Sequence, residues 1–300
     1  MPFEPTRDRI DPEKLTLDSS PKRRPDWIRV KAPVGEGYQK IENMLRSQHL
    51  HTVCEEAACP NMGECFNSGT ATFLILGDIC TRACRFCDIK HGQPAELDWE
   101  EPLRVAQTVQ QMQLRYAVIT SVDRDEREDG GAPIFAETIR QIRLLTPGCR
   151  VEVLIPDFKG SIDALKMVMD AQPDVLNHNL ETVERLSKQI QPQARKEWSR
   201  ATLVNAKVLA PEIPTKSGLM VGMGETFEEV QDAMRELREW QVDLLTIGQY
   251  LQPSRQHWPI DRYYTPAEFA ALKEFGLSIG FSAVVSAPLV RSSYHAAEMI

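Results

Sequence analysis

The 300-residue chain has no run of some eighteen apolar residues, which excludes a helix long enough to cross a bilayer. Its opening residues, MPFEPTRDRIDPEKL, lack the apolar core of a secretory signal. No G-x-G-x-x-G follows the first strand-like run, and the glycine-containing VGMGET lacks the Gly-Lys-Ser/Thr of a phosphate-binding P-loop. A second C-x2-C knuckle, of the kind that pairs with a first to close a structural zinc site, is also missing. Positive charge is not in excess: the net charge of −8 makes no case for a nucleic-acid or membrane partner. What remains is a chain expected to be cytoplasmic, with 42% hydrophobic residues, enough for a full core.

A reducing compartment sets the reading of the seven cysteines. Disulfides do not persist there, so clustered cysteines point to metal binding or chemistry. Six of them form two triads, Cys54, Cys59, Cys65 and Cys80, Cys84, Cys87, within a short span. Cys149 stands alone before a strand-like run and is read as a small buried apolar residue.

The first 50 residues are irregular and proline-rich, and carry a basic run, 21-PKRRPDWIRVK-31, read as an extended arm. From residue 71 the pattern is regular. Strand-like runs occur at 71–77, 115–121, 150–156, 174–179, 217–223 and 243–250, with helical stretches between them. Phe135, Ile139 and Ile142 share one helix face; so do Phe227, Val230, Met234 and Leu237. Thr226 with Glu229, and Thr265 with Glu268, have capping-box spacing. Alternating strands and helices with continuously apolar strands imply a parallel sheet covered by helices. Six such units predict an α/β fold, a partial (β/α)6 TIM-like barrel over residues 71–281, preceded by an extension over 1–70 and followed by a short one over 282–300. An open doubly wound sheet is the competing architecture.

The stretch 80-CTRACRFCDIK-90 follows the first strand, on the rim where α/β barrels place their active sites. Its spacing is C-x3-C-x2-C, with no fourth cysteine nearby. Three thiolates can hold an iron–sulfur cubane at three irons, leaving the fourth open to a ligand; a zinc site needs a fourth protein ligand to close. With its aromatic before the last cysteine, the motif resembles the radical S-adenosylmethionine superfamily. The second triad, C-x4-C-x5-C in 54-CEEAACPNMGEC-65, narrows the resemblance to the lipoyl synthase family. Further matching stretches are 119-ITSVDRDEREDGGA-132, 176-LNHNLETV-183, 214-PTKSGLMVGMGET-226, 247-IGQYLQPS-254 and 290-VRSSYHA-296. They cover about residues 40 to 297, and the proline-rich arm is expected to depart from the family.

The resemblance implies two 4Fe–4S clusters and S-adenosylmethionine. Cys80, Cys84 and Cys87 would hold the cluster that cleaves the sulfonium and yields a 5′-deoxyadenosyl radical. Cys54, Cys59 and Cys65, with Ser292 of the RSSY motif as fourth ligand, would hold the cluster consumed as sulfur donor. Arg291 would orient or protonate the departing serine. Phe86 is the implied backbone contact to adenine, Asp123 the partner of the methionine amine, and Asn179 with Glu181 the holders of the ribose hydroxyls. A helix cap for Asn179 and a turn with the following DGG for Asp123 are the rival readings. Lys216 and Arg255 are weaker candidates for carboxylate contact or docking, and packing is the default for His49, His51, His178 and His295. The implied reaction inserts two sulfurs at C6 and C8 of an octanoyl-lysine on a lipoyl carrier domain (a 2-oxoacid dehydrogenase E2 or a glycine cleavage H protein). An electron donor such as flavodoxin or ferredoxin, and an iron–sulfur carrier for cluster repair, are the other implied partners. A biotin synthase-like sulfur inserter and a zinc-stabilised interaction module are the alternatives.

Overall fold

The computed structural model describes residues 22–29, 36–48, 50–53, 61, 72–294 and 296–300. Cys54, Cys59, Cys65, His49 and His295 lie outside the described residues, so the second triad's geometry is not among the structural findings.

Six parallel strands appear where the apolar runs predict them: β2 (Thr72–Ile75), β5 (Tyr116–Ser121), β6 (Arg150–Leu154), β7 (Val175–Asn177), β8 (Thr215–Val221) and β9 (Leu244–Gln249). A seventh, β10 (Ala283–Ser286), pairs parallel with β9, and the two-residue β1 (His51–Thr52) pairs antiparallel with β2. The sequence reading did not anticipate β10, because four residues carry too little period to separate from a tail. In the sheet the spatial order of the parallel strands is their order along the chain. A doubly wound sheet reverses direction at a switch point; this one never does. Every crossover therefore runs the same way round, and the sheet curls into a partial barrel with a seam between β1 and β10.

The crossover helices are α2 (Glu101–Gln111), α3 (Ala132–Leu145), α4 (Ile162–Asp170), α5 (Glu184–Ile190), α6 (Lys196–Leu209), α7 (Phe227–Glu239) and α8 (Pro266–Ser278); α1 (Glu36–Ser47) precedes the sheet. Phe135, Ile139 and Ile142 are wholly buried on α3, and Val230, Met234 and Leu237 on α7. Both capping boxes form: Thr226 and Thr265 each accept from the third helical amide, and Glu229 and Glu268 return the bond to the cap amide. Cys149 is buried and donates only to its neighbour's carbonyl, as a small core residue does.

Strand alternation sends one set of side chains to the helices and the other into the barrel. On β9, Leu245 and Ile247 pack in the helix-facing core, whereas Thr246 and Gly248 line the interior. The C-terminal segment occupies that interior. Val290 lies against Gly248 near the carboxyl ends of the strands, and Met299 packs with Val175 and Leu244 at their amino ends. Arg150, at the start of β6, donates to the Ile300 carbonyl at 3.2 Å.

The barrel floor is polar. Lys216 on β8 is wholly buried and meets both carboxylate oxygens of Glu152 on β6, at 2.9 and 3.2 Å. Tyr116 and Asn177 donate to the same carboxylate at 2.7 and 3.0 Å. Lys216 is therefore part of the scaffold, and its carboxylate contact is internal. Breaking such a pair strands a buried charge. Lys216→Met should destabilise the fold by about 3–5 kcal/mol in chemical denaturation, and adding Glu152→Gln should recover most of the loss.

Candidate functional site

After β2 the chain turns sharply at Leu76 (φ 70°) and Gly77 (φ 91°), ending the strand two residues earlier than its apolar run suggests. The loop that follows is closed at its base by a short parallel pair, β3 (Ile79–Cys80) with β4 (Lys90–His91). Inside it, the Cys87 amide donates to the Cys84 carbonyl at 3.0 Å, closing a tight turn, and Phe86 packs half-buried against the core. Two distant segments grip this turn. The Arg85 amide donates to Ile190 at 2.8 Å, and the Arg85 carbonyl accepts from the Trp258 amide at 2.7 Å. His257 bonds the Cys87 carbonyl through Nε2 at 3.1 Å and Ser254 through Nδ1 at 2.8 Å.

The centre of the arrangement is Arg82, the second x of C-x3-C. Its buried guanidinium donates to Asp125 at 2.7 and 2.9 Å and to Asp157 at 2.6 and 2.8 Å, with Asp123 at 3.3 Å. Bidentate pairs of this kind fix orientation as well as charge. They tie the cysteine loop to the ends of β5 and β6.

A cavity of about 600 Å³ opens at the carboxyl ends of the strands and reaches into the barrel. Cys80, Cys84, Cys87 and Phe86 line it, as do Asp123, Asn179, Glu181, Arg291 and Ser292. The described cluster-ligand and S-adenosylmethionine-contact candidates thus share one space, whereas Lys216 and Arg255 do not line it. Asp123 lies at its wall, where burial pushes its carboxyl up to about 6 against the pull of Arg82, with Asp157 and Asp125 pushing it further up. The turn with DGG belongs instead to Asp129, which accepts from the Gly131 amide at 2.8 Å. Asn179 caps no helix, since α5 begins at Glu184 after Val183. Its amide nitrogen donates to Glu181 at 3.0 Å and to Ser292 Oγ at 2.7 Å. Arg291 donates to the Val290 carbonyl at 2.7 Å, and its charge helps pull the Glu181 carboxyl down.

The thiols suit an iron–sulfur cluster. Cys80 Sγ accepts from the Arg82 and Asp123 amides at 3.4 and 3.3 Å, donors that favour the thiolate a metal requires. Burial, and then the Asp123 charge, push the Cys80 and Cys84 thiols well up, so metal must displace their protons on binding. Among the described residues no group of three His, Cys, Asp or Glu side chains could hold a single metal ion.

Other sequence candidates resolve into packing. His178 has both ring nitrogens bonded, to the Ile155 carbonyl and Ser199 Oγ, each at 2.9 Å. In VGMGET, Glu225 accepts from the Gly222 and Met223 amides, and a Cβ on Gly222 would come within 2.4 Å of the Arg262 carbonyl. Close backbone approach, not phosphate, explains that glycine.

The sequence matches the Radical SAM superfamily over residues 74–237 and the N-terminal domain of lipoyl synthase over residues 5–59. The lipoyl synthase of Rubrobacter xylanophilus is 59% identical over 92% of this chain and 86% of its own length. That of Chloroflexus aggregans is 56% identical over 96% and 93%. The chain belongs to the lipoyl synthase family. It is thereby a radical S-adenosylmethionine enzyme of sulfur insertion, and membership implies a 4Fe–4S cluster and S-adenosylmethionine. The match over 5–59 corrects the expectation that the arm departs from the family; a proline-rich arm has little periodicity by which to recognise it. Among solved structures, methylornithine synthase has a TM-score of 0.52 at 13% identity, covering 81% of this chain and 70% of that one. Streptococcus suis SuiB bound to S-adenosylmethionine has 0.54 at 9%, covering 81% and 51%. At such identities the likeness is one of fold.

Several residues of this lipoyl synthase-family site escaped the sequence reading. Arg82 sits in plain view between two cysteines, yet its partners lie 43 and 75 residues away. Asn61, two residues after Cys59, donates to the Leu289 carbonyl at 2.7 Å. His257 and Trp258 grip the first triad from the loop after β9.

Burial pushes the Glu181 carboxyl up to about 7, with Asn179 and Arg291 opposing. A carboxyl raised in this way binds its proton more tightly in the folded chain than in the unfolded one. Its contribution to stability is full below the ordinary value of 4.5 and is lost as pH rises through 7. Glu181→Gln should flatten the pH dependence of stability across that window, as read by urea denaturation.

Proposed function

We propose that this chain inserts two sulfur atoms, at C6 and C8, into an octanoyl group carried on a lysine of a lipoyl carrier domain, using two molecules of S-adenosylmethionine. The observation that carries the reading is a shared cavity: Cys80, Cys84 and Cys87 line it together with Ser292. The Asn61–Leu289 bond supports it, since Asn61 lies between Cys59 and Cys65 in sequence and Leu289 three residues before that serine. When bound, a cubane on Cys80, Cys84 and Cys87 supplies the electron that cleaves the sulfonium, and a second on Cys54, Cys59, Cys65 and Ser292 supplies sulfide.

The chain's own residues hold and orient. Asp123 takes the methionine amine, which its place beside Cys80 supports. The Phe86 backbone meets the adenine, and Glu181 with Asn179 faces the ribose. Arg291 would orient or protonate Ser292 were that serine to hold the second cluster. C6 and C8 of an octanoyl chain carry only inert C–H bonds, so no side-chain base is needed. The need is for water to be kept out, and the apolar Leu74, Val122, Leu154 and Leu219 of the cavity serve that end.

The arm supports a docking role. Arg24 lines the cavity, Arg23 is exposed, and Trp27 Nε1 donates to the Tyr264 carbonyl at 3.3 Å. We place an acidic carrier (an E2 or glycine cleavage H protein) at this basic edge despite the chain's net charge. Flavodoxin or ferredoxin is the reductant, an iron–sulfur carrier rebuilds the spent cluster, and the compartment is the cytoplasm. The expected limits are 1–70 for the second triad, 71–281 for the barrel and 282–300 for the RSSY tail, with the barrel extended to take in β10 at Ala283–Ser286. Among the described residues no helix is long and apolar enough to cross a membrane.

An anaerobic single-turnover assay with an octanoylated carrier peptide tests the division of labour. Cys54→Ala should still form 5′-deoxyadenosine while losing sulfur incorporation, and Cys84→Ala should lose both. Normal thiolation by Cys54→Ala would refute the assignment.

A further inference from the structure

We propose that the basic face around the first cysteine loop is the docking surface of an acidic one-electron donor protein. The inference deepens the proposed function. It rests on Cys80, Cys84 and Cys87 as cluster ligands and names where the electron enters.

Three segments build the face. The cysteine turn, residues 83–87, is bonded on one side to the end of α5, through the Arg85 amide and the Ile190 carbonyl at 2.8 Å. The turn after α5 closes with the Ala194 amide on the Gln191 carbonyl at 3.1 Å, and Gln193 Oε1 accepts from the Ala83 amide at 3.4 Å. On the other side, Trp258 and His257 hold the Arg85 and Cys87 carbonyls at 2.7 and 3.1 Å. Residues 83–87, 188–195 and 253–257 are neighbours for that reason, although they are far apart in sequence.

Their charge is one-sided. The chain has 43 acidic residues against 35 basic ones, yet these three segments contain Arg85, Lys188, Arg195 and Arg255 and no carboxylate. Lys188, Arg195 and Arg255 are exposed and Arg85 is half-buried. Among the described residues none of the four forms an ion pair. Neighbouring cations differ: Lys196 is taken up by Glu184 and Glu236 at 2.6 and 2.7 Å. The nearby acids are likewise engaged, Asp125 and Asp157 by Arg82, and Asp88 facing His257 at 3.7 Å. Glu197, exposed in the first turn of α6, is the nearest carboxylate in sequence to Arg195 without such a partner. The Arg195 guanidinium lies 4.8 Å from the centre of the Trp198 ring, and that of Arg82, from between two of the cysteines, lies 5.9 Å from the same ring. Cations left unpaired around one spot steer an acidic protein to it and set its orientation.

The position fits an electron donor better than the acyl carrier. A carrier has to thread its octanoyl arm into the cavity, whereas a donor has only to come close to the cluster. Residues 83–87 are all half-buried, so a protein seated on this face stands against the backbone of the ligands themselves. At the contact the donor loses one electron and the first cluster gains it; no bond is made or broken. The arm that carries Arg23 and Arg24 is fastened elsewhere, through Lys22 to the Asp261 carbonyl and through Trp27 to that of Tyr264. Donor and carrier therefore draw on different segments.

The test is reduction of the first cluster in anaerobically reconstituted full-length protein by an acidic reduced flavodoxin. Freeze-quench EPR follows the signal that S-adenosylmethionine perturbs. Lys188→Glu/Arg195→Glu should slow that reduction about tenfold at low ionic strength. The difference should close at about 1 M salt, where charges are screened within a few ångströms. Photoreduced deazariboflavin, small and uncharged, should reduce this variant at the wild-type rate, which shows an intact cluster. Arg140→Glu/Lys166→Glu on α3 and α4 makes the same change in net charge and should leave the flavodoxin rate as it was. A wild-type rate from Lys188→Glu/Arg195→Glu, or equal slowing by the α3–α4 pair, would overturn the proposal. Weakened binding of the octanoylated carrier peptide beside unchanged reduction would also overturn it and give the face to the carrier. Failure of deazariboflavin to reduce any cluster in the wild-type protein would instead remove the reading of the first triad on which the proposal stands.

Discussion

Three thiols on a surface loop have no reason to stay apart and face one way, and in this chain the reason is Arg82. Its guanidinium binds Asp125 and Asp157 through both edges, deep enough that little water screens the contact. Three carboxylates at one spot would repel one another and drift toward protonation; a single buried cation makes the cluster of charge tolerable. The same bonds fasten the cysteine loop to two barrel strands. The Cys80 sulfur and the Asp123 carboxyl are held in contact as a consequence, so metal site and proposed amine site are one construction.

The tail solves a different problem. A (β/α) barrel ordinarily fills its interior with side chains from its own strands. Here the inner face carries Gly218, Thr246 and Gly248, and tail residues Val290 and Met299 take part of the room inside the sheet. A backbone inside a barrel brings carbonyls and amides that must find partners. Asn61, Gln249 and Arg150 meet several of them. The arrangement delivers Ser292 to the cavity by the shortest route from the last strand, and the polar floor of Lys216 and Glu152 closes the space below.

Much of this was legible in the sequence, for local reasons. The strands are continuous apolar runs, the capping boxes are four-residue signals, and the cysteine spacings carry their chemistry in a few letters. The six-strand reading fell one short because β10 is a four-residue edge strand. Other features depend on partners far along the chain. Nothing near Arg82 announces Asp157, and nothing near Asn61 announces Leu289. Lys216 was a candidate for carboxylate contact or docking, and only the fold shows that its carboxylate is the buried Glu152. Asn179 was read as a cap or a ribose contact; its bond to Ser292 spans 113 residues.

The proposed function requires two separate three-cysteine sites that hold two clusters with different duties. Mössbauer spectroscopy of anaerobically reconstituted protein, before and after turnover, tests it most directly. About eight irons per chain, as two cubanes, are expected, with the signal surviving Cys54→Ala being that of the site-differentiated first cluster. After turnover the first cluster should persist and the second diminish. A single cubane in fully reconstituted wild-type protein, or two that both survive sulfur insertion intact, would contradict it.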